Sequence, residues 1–263
     1  GTGSGLKRQG GGAMARGGGW LALAGRAVRA AFFGRCPACG GLLPAGETGV
    51  CPTCAVALAP RLGGYCPRCG AVAGDPRDEP ALCPTCRERP RPWDGVAFHG
   101  RYEGLLRELV LEFKFRGRLA QGRLLARLCL EAYRRGLDAG QVGAVVPGGL
   151  TVLVPVPLHL KRLAWRGFNQ SLELAKALGR ALDIPVCPGG MARIRHTTPQ
   201  SSLPGPQRLE NIQGAFRADP AVVADRPVLL VDDVMTTGAT VATACLALRQ
   251  AGARRVDVLV AAR

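Results

Sequence analysis

Apolar runs and polar breaks alternate regularly from about residue 93 onward. The run 93–99 predicts a short strand. The runs 151–156 and 228–231 are almost wholly apolar and predict strands buried on both faces. A further apolar run, 256–260, predicts a last strand. Helical patterns lie between them. One spans 104–115, with Leu105, Leu109 and Glu112 spaced along it, and one spans 119–135, ended by Gly136. Another opens at 166–170 and carries the stripe Leu172, Ala175, Leu178 and Leu182. The last spans 239–250 and ends at Gly252. Strands alternating with helices predict an α/β fold with a doubly wound parallel sheet and a site at the carboxyl ends of its strands. Residues 193–216 interrupt the alternation with a polar, turn-rich segment holding Arg193, Arg195, His196, Thr197, Thr198, Gln200, Arg208 and Asn211. A polar loop this long in a compact domain is usually functional or unstructured.

Upstream of residue 93 the pattern changes to Gly, Pro and Cys. Residues 1–19 are expected to be a disordered tail or an expression scar, with a native start near Met14. Residues 20–92 are expected to form a helix followed by a small cysteine-rich module, and 93–263 the α/β domain. Eight of the eleven cysteines form four C-P-x-C pairs: Cys36/Cys39, Cys51/Cys54, Cys66/Cys69 and Cys83/Cys86. The arrangement repeats after thirty residues, and Gly40 and Gly70 follow the two leading pairs, where positive φ would turn N–H groups toward sulfur. Two-residue gaps place two thiolates on one knuckle, and two knuckles complete a tetrahedron, so two structural Zn²⁺ sites are expected. The repeat favours pairing the first four cysteines together and the last four together, with a crossed pairing left open. Disulfides need an oxidising compartment, four redox motifs in fifty residues would be odd, and iron–sulfur clusters use other spacings. Cys129, Cys187 and Cys245 lie in apolar surroundings and are expected in the core.

Composition narrows the picture. With 263 residues, 47% of them hydrophobic, the chain can bury one medium domain beside a small one. No apolar run approaches the ~18 residues of a membrane span, and residues 20–33 are broken by Arg26 and Arg29. No secretory pattern is evident, and a cytoplasmic protein is expected. The formal charge is +16, carried by 31 Arg and 4 Lys. Each Zn(Cys)₄ unit would carry −2, so two would take the net charge to +12. Such a surface suits polyanions without naming one, and a GC-rich genome would give the same bias. Aromatic content of 5% is poor for a base-stacking groove.

The most specific stretch is 228–240, Val-Leu-Leu-Val-Asp-Asp-Val-Met-Thr-Thr-Gly-Ala-Thr. A buried strand stops at Asp232 and Asp233, and a Thr/Gly loop then opens a helix. Orphan N–H groups and the macrodipole at a helix start favour a phosphate. Carboxylates suit sugar hydroxyls or a divalent metal. Upstream, Pro155 and Pro157 stop the strand at 151–156, and Lys161, Arg162 and Arg166 follow. His99, His159 and His196 have no partner at catalytic spacing and are expected to be non-catalytic.

The run 228–240 resembles the phosphoribosyl pyrophosphate (PRPP) motif of type I phosphoribosyltransferases. The resemblance implies that Asp232 and Asp233 face the ribose hydroxyls with Mg²⁺. It also implies that Thr236, Thr237, Gly238, Ala239 and Thr240 hold the 5-phosphate. Further motifs stand in order along the chain: Lys114-Phe115-Arg116-Gly117, Pro155-Val156-Pro157 with Arg162, and Arg166-Gly167-Phe168-Asn169-Gln170. Thr198-x-Gln200, Arg208-x-x-Asn211 and Gly214-Ala215-Phe216 complete the set. With the cysteine module, the whole resembles the ComF (GntX-like) family of competence proteins. That resemblance implies a role in DNA uptake during natural transformation, with helicase and single-strand-handling proteins and single-stranded DNA itself as candidate partners. Lys161, Arg162 and Arg166 are then candidates to hold pyrophosphate, and Arg195, Thr198 and Gln200 to touch leaving group or acceptor. Two readings stay open: a PRPP-dependent transferase with an unknown acceptor, or an inactive adaptor that keeps the pocket for sensing or shape.

Overall fold

The computed structural model describes residues 34–44, 47, 49–145, 150–195 and 212–263. The tail 1–19, the expected helix over 20–33, and His196, Thr197, Thr198, Gln200, Arg208 and Asn211 lie outside the described residues. The chain forms two compact units, 1–51 and 52–263.

The thirty-residue repeat is a repeat of hydrogen bonds. In the first unit Cys36 N–H donates to Gly41 O at 2.8 Å, Gly40 N–H donates to Cys36 O at 2.8 Å, and Arg35 bridges Leu42. In the second, Cys66 N–H donates to Ala71 O at 2.8 Å, Gly70 N–H donates to Cys66 O at 2.7 Å, and Tyr65 bridges Val72. Gly40 and Gly70 take φ of 76° and 70°, as expected. The trailing pairs lead into two short helices that each begin on proline, α1 (Pro52–Ala57) and α2 (Pro84–Glu88).

The α/β domain runs β1 (Gly95–Gly100), α3 (Gly104–Arg116), α4 (Leu119–Asp138), β2 (Val152–Pro155), α5 (Leu160–Arg166) and α6 (Gln170–Leu182). It continues β3 (Met191–Arg193), β4 (Phe216–Ala218), α7 (Pro220–Val223), β5 (Pro227–Val234), α8 (Ala239–Gln250) and β6 (Arg255–Ala262). The four long strands form a parallel sheet in the order β1-β6-β5-β2. Leu153 also bridges Val186 in parallel, which puts residues 185–187 along the outer edge of β2. Side chains alternate across the sheet. Val96, Phe98, Val154, Leu230, Val258 and Val260 join one core with Val241, Ala244, Cys245 and Leu248 of α8. On the sheet's other residues pack α4 and α6. The doubly wound parallel sheet is as expected.

Several details differ from expectation. Gly136 does not end α4, which runs on to Asp138. A Cβ there would lie 3.2 Å from Ala97 and 3.3 Å from Val142, so the glycine serves close packing on β1. The buried stripe of α6 is Gln170, Ser171, Leu174, Ala175, Leu178 and Gly179, while Leu172 and Leu182 are only half-buried. The strand expected to stop at residue 231 continues, with Asp232 opposite Val260 and Val234 opposite Ala262. Residues 160–166, for which no element was expected, form α5, whose side chains are all at least partly exposed. The ends of the polar segment pair as the antiparallel strands β3 and β4.

Candidate phosphate and metal sites

The topology sets the place of the site. From β2 the chain passes through α5 and α6 to residues 185–187, outside β2. From β5 it passes through α8 to β6, on the opposite side. The connections diverge at the β2/β5 pair, which is where ligands sit in open α/β sheets. One wall of this crevice is the segment from Val156 through α5. The other runs from Asp232 to Thr240.

The acidic pair is held from within. Asp233 is 5% exposed and pairs with Lys114 Nζ of α3 at 2.9 Å. Asp232 Oδ1 accepts from Ser171 Oγ at 2.8 Å and from the Asp233 N–H at 2.9 Å. Burial and the neighbouring Asp233 charge push the Asp232 carboxyl up to about 7, against the pull of Lys114 and Ser171. Burial alone would lower the Lys114 ammonium, but the charge and hydrogen bond of Asp233 outweigh it and raise it. The Arg166–Gln170 run clamps the same corner. Gln170 Nε2 donates to Lys114 O at 3.5 Å, and Arg166 Nη1 donates to Gln170 Oε1 at 2.8 Å. Asn169 caps α6 through Ser171 N–H at 3.1 Å and donates to Val156 O at 3.1 Å.

Cations from separate segments converge here. Burial lowers the Arg162 and Arg166 guanidiniums; Arg166 repulsion lowers Arg162 further, and Asp233 partly restores Arg166. Arg193, at the end of β3, is lowered to about 10 by burial and by Arg162, with Asp232 opposing. These three guanidiniums and the two aspartates therefore share one field, suited to an anion. Lys161 is exposed in the first turn of α5, and its N–H bonds the capping His159 Nδ1 at 3.2 Å. Arg195 Nη2 donates to Gln213 O at 2.6 Å. Thr198 and Gln200 are outside the described residues. Lys114, Ser171 and Arg193 were not read as site residues. Lys114 had only its place in the Lys-Phe-Arg-Gly run to signal it, and no local pattern pointed to Ser171.

The Thr236–Gly238 loop joins β5 to α8. Gly238, at φ 79°, is the residue before the helix, and Ala239 N–H reaches Thr237 Oγ1 at 3.4 Å. Thr236 and Thr237 are exposed, Gly238 and Ala239 buried, and Thr240 half-buried. Arg263 braces this loop. Its Nη1 donates to Met235 O at 3.1 Å and also to Thr236 O, while its Nε donates to Cys69 O at 2.8 Å. Trp93 adds a second tie: its Nε1 donates to Arg68 O at 2.7 Å, and its ring lies 3.6 Å from the position of a Cβ on Gly238. The second cysteine knuckle is thus built against the Thr236–Gly238 loop.

The cysteines group sequentially, Cys36, Cys39, Cys51 and Cys54, then Cys66, Cys69, Cys83 and Cys86, with all sulfurs of a group within 4.8 Å of one another. Cys39 and Cys51 sulfurs, and likewise Cys69 and Cys83 sulfurs, are 3.8 Å apart. That is the edge of a tetrahedron whose centre lies ~2.3 Å from each sulfur, the zinc–thiolate length. Cys51 N–H points at Cys36 Sγ at 3.4 Å, and Arg91 Nε donates to Cys86 Sγ at 3.1 Å. Burial works to raise the leading thiols, but backbone N–H groups hold Cys36 at about 6 and Cys66 at about 7. Both groups fit a metal. Cys129 and Cys245 are fully buried, and burial raises both thiols, Cys129 to about 12. Cys187 is only half-buried, since it sits in the connection beside β2. His99 is buried with its ring nitrogen 2.7 Å from Leu58 O. Among the described residues no helix is long and apolar enough to cross a membrane.

The family model for phosphoribosyl transferase domains matches residues 169–263. Competence protein F of Haemophilus influenzae is 35% identical over 185 residues, 69% of this chain and 78% of that protein. DNA utilization protein YhgH of Escherichia coli K12 is 34% identical over 176 residues, 67% of this chain and 75% of that protein. Competence protein ComFC of Bacillus subtilis is 29% identical over 187 residues, 69% and 71% of the two chains. Together with the parallel sheet, its switch-point crevice and the two four-cysteine groups, these likenesses establish that the chain belongs to the competence protein F family and carries a phosphoribosyltransferase-type domain.

Proposed function

We propose that the β2/β5 crevice binds PRPP with Mg²⁺ and that the protein serves DNA uptake in natural transformation, in the cytoplasm, beside helicase and single-strand-handling partners. One observation carries the ligand: a single strand end presents two carboxylates and then a Thr/Gly loop opening a helix, faced by Arg162, Arg166 and Arg193. The names of the relatives support the biological role. Asp232 and Asp233 would hold the ribose and its metal, and Thr236 to Thr240 the 5-phosphate. If the anomeric carbon–oxygen bond breaks, its electron pair leaves with pyrophosphate. The guanidiniums then offset that charge, and an acceptor nucleophile bonds the carbon. A bound Mg²⁺ would supply charge neutralisation on the pyrophosphate, with Asp232 and Asp233 as the residues to hold it. The two cysteine groups would each hold one structural Zn²⁺, and elemental analysis of protein purified without chelator should find about two.

The adaptor reading is favoured by one feature. Asp233 is already paired internally with Lys114, so a ribose hydroxyl must share it or displace it. Calorimetric titration with Mg²⁺–PRPP, followed by pyrophosphate release across candidate acceptors, separates the readings. A transferase binds and turns over, and Asp232→Asn and Asp233→Asn cut turnover more than affinity. An adaptor binds without release of pyrophosphate. No binding, with Thr237 and Thr240 replaceable by bulky apolar residues without consequence, removes the ligand altogether.

A further inference from the structure

Two exposed aromatic side chains meet beside the basic wall of the crevice. Phe115 lies in the last turn of α3 and Trp165 in the last turn of α5, and their rings meet edge to face at 6.2 Å. They are 56% and 73% exposed, although rings of this size are usually buried. Arg166 Cζ stands 5.1 Å over the Phe115 ring and fixes it. Lys161 and Arg162 share α5 with Trp165, and Arg116 and Arg118 follow Phe115. The carboxylate facing them, Glu112, is taken by both Arg116 at 2.9 Å and Arg118 at 3.2 Å, so the patch keeps a net positive charge.

Exposed rings among cations match the chemistry of an unpaired polynucleotide strand, which offers base faces to stack and phosphates to pair. An acidic peptide would use the cations and leave the rings unmatched. A duplex hides its base faces. We propose that Phe115 and Trp165 form a base-stacking platform for single-stranded DNA, with the strand's phosphates over Lys161, Arg116 and Arg118. The proposal rests on the DNA-uptake role above and is independent of whether the crevice turns PRPP over. Low overall aromatic content spoke against a stacking groove. The fold answers this by bringing together two rings fifty residues apart and leaving both in water.

The test uses the full chain and a fluorescent dT₂₀ oligonucleotide, followed by anisotropy. Trp165→Ala should weaken binding about tenfold, the usual worth of one stacked base, and Phe115→Ala by several-fold. Intrinsic tryptophan fluorescence should be quenched by dT₂₀ in the unmodified protein and much less in Trp165→Leu. A 20-bp duplex should bind more weakly than dT₂₀. Thermal melting should stay unchanged in these variants, since both rings are exposed, and Mg²⁺–PRPP affinity should stay unchanged in Trp165→Ala. Oligonucleotide affinity within twofold in the double Ala variant, with the same quenching, would overturn the platform while sparing the crevice. So would a variant that changes only the sedimentation behaviour, which would make the patch a contact between copies. If the unmodified protein ignores dT₂₀ at low salt, the platform and direct DNA binding both fall, and the PRPP titration still decides the crevice.

Discussion

The two cysteine groups share one knuckle and differ in what stands behind it. Around Gly40 a Cβ would meet nothing within 4 Å, and Cys39 is exposed. Around Gly70 a Cβ would meet Arg263 at 3.1 Å and Phe98 at 3.2 Å, and Cys66 and Cys69 belong to the main core. Tyr65, beside this knuckle, packs its ring edge on Phe98 at 5.1 Å. The backbone hydrogen bonds of the two leading knuckles are the same, so the difference lies in what surrounds them. A metal in the first group would fold a local loop; in the second it would hold one layer of the α/β domain and, through Arg263, the Thr236–Gly238 loop.

The largest test of this difference is loss of a ligand. Cys66→Ser should cost the α/β domain about 4–5 kcal/mol and lower its melting temperature by roughly 10 °C or more. Cys36→Ser should release about one metal equivalent and leave that transition nearly unmoved. Circular dichroism melts with elemental analysis decide it, and equal losses would break the comparison. Next come the glycines. Gly40→Ala should cost only the left-handed strain of about 1 kcal/mol. Gly70→Ala adds overpacking and should cost about 2–4 kcal/mol in denaturant titration. Arg263→Ala is smaller. Losing its bonds to Met235 and Cys69 should weaken inorganic phosphate or Mg²⁺–PRPP binding by about 1–2 kcal/mol, read by calorimetry. The first group should show no such coupling, so Cys36→Ser should bind phosphate as the unmodified protein does.

The smallest effect concerns His99, which anchors the segment between the groups by its bond to Leu58 O. Burial holds its pKa below the ordinary value, with the Leu58 carbonyl opposing. The unfolded chain therefore takes the proton first. Its contribution is complete above the unfolded pKa of about 6.5 and is lost as pH falls below it. Denaturant midpoints at pH 7.5 and 5.5 should therefore differ less in His99→Gln than in the unmodified protein. An equal difference in both would show that another group carries the pH dependence.

Much of this was legible in the chain. The sheet strands and long helices follow from apolar periodicity, and the knuckles from Cys-Pro-x-Cys-Gly. The misreadings share a cause. Gly136 reads as a helix stop because its close approach to Ala97 is a long-range fact. The β5 strand reads as ending at Val231 because Asp is a poor strand residue, yet pairing with β6 carries the ladder past it. α5 is short and has no buried face, so it leaves no periodic signal.

Local pattern therefore determined the α/β class, the cysteine repeat with its positive-φ glycines, and the Asp-Asp and Thr/Gly run at a strand end. Each depends on residues close in sequence, through side-chain period, turn geometry or ligand spacing. Tertiary structure chose the sequential grouping that the repeat favoured over the crossed one, and alone decided that Lys114 meets Asp233 across 119 residues, that Arg263 ties Cys69 to Thr236, and that Phe115 and Trp165 share one exposed patch. Periodicity reports which face of an element is buried and carries no information about which distant side chain it is buried against.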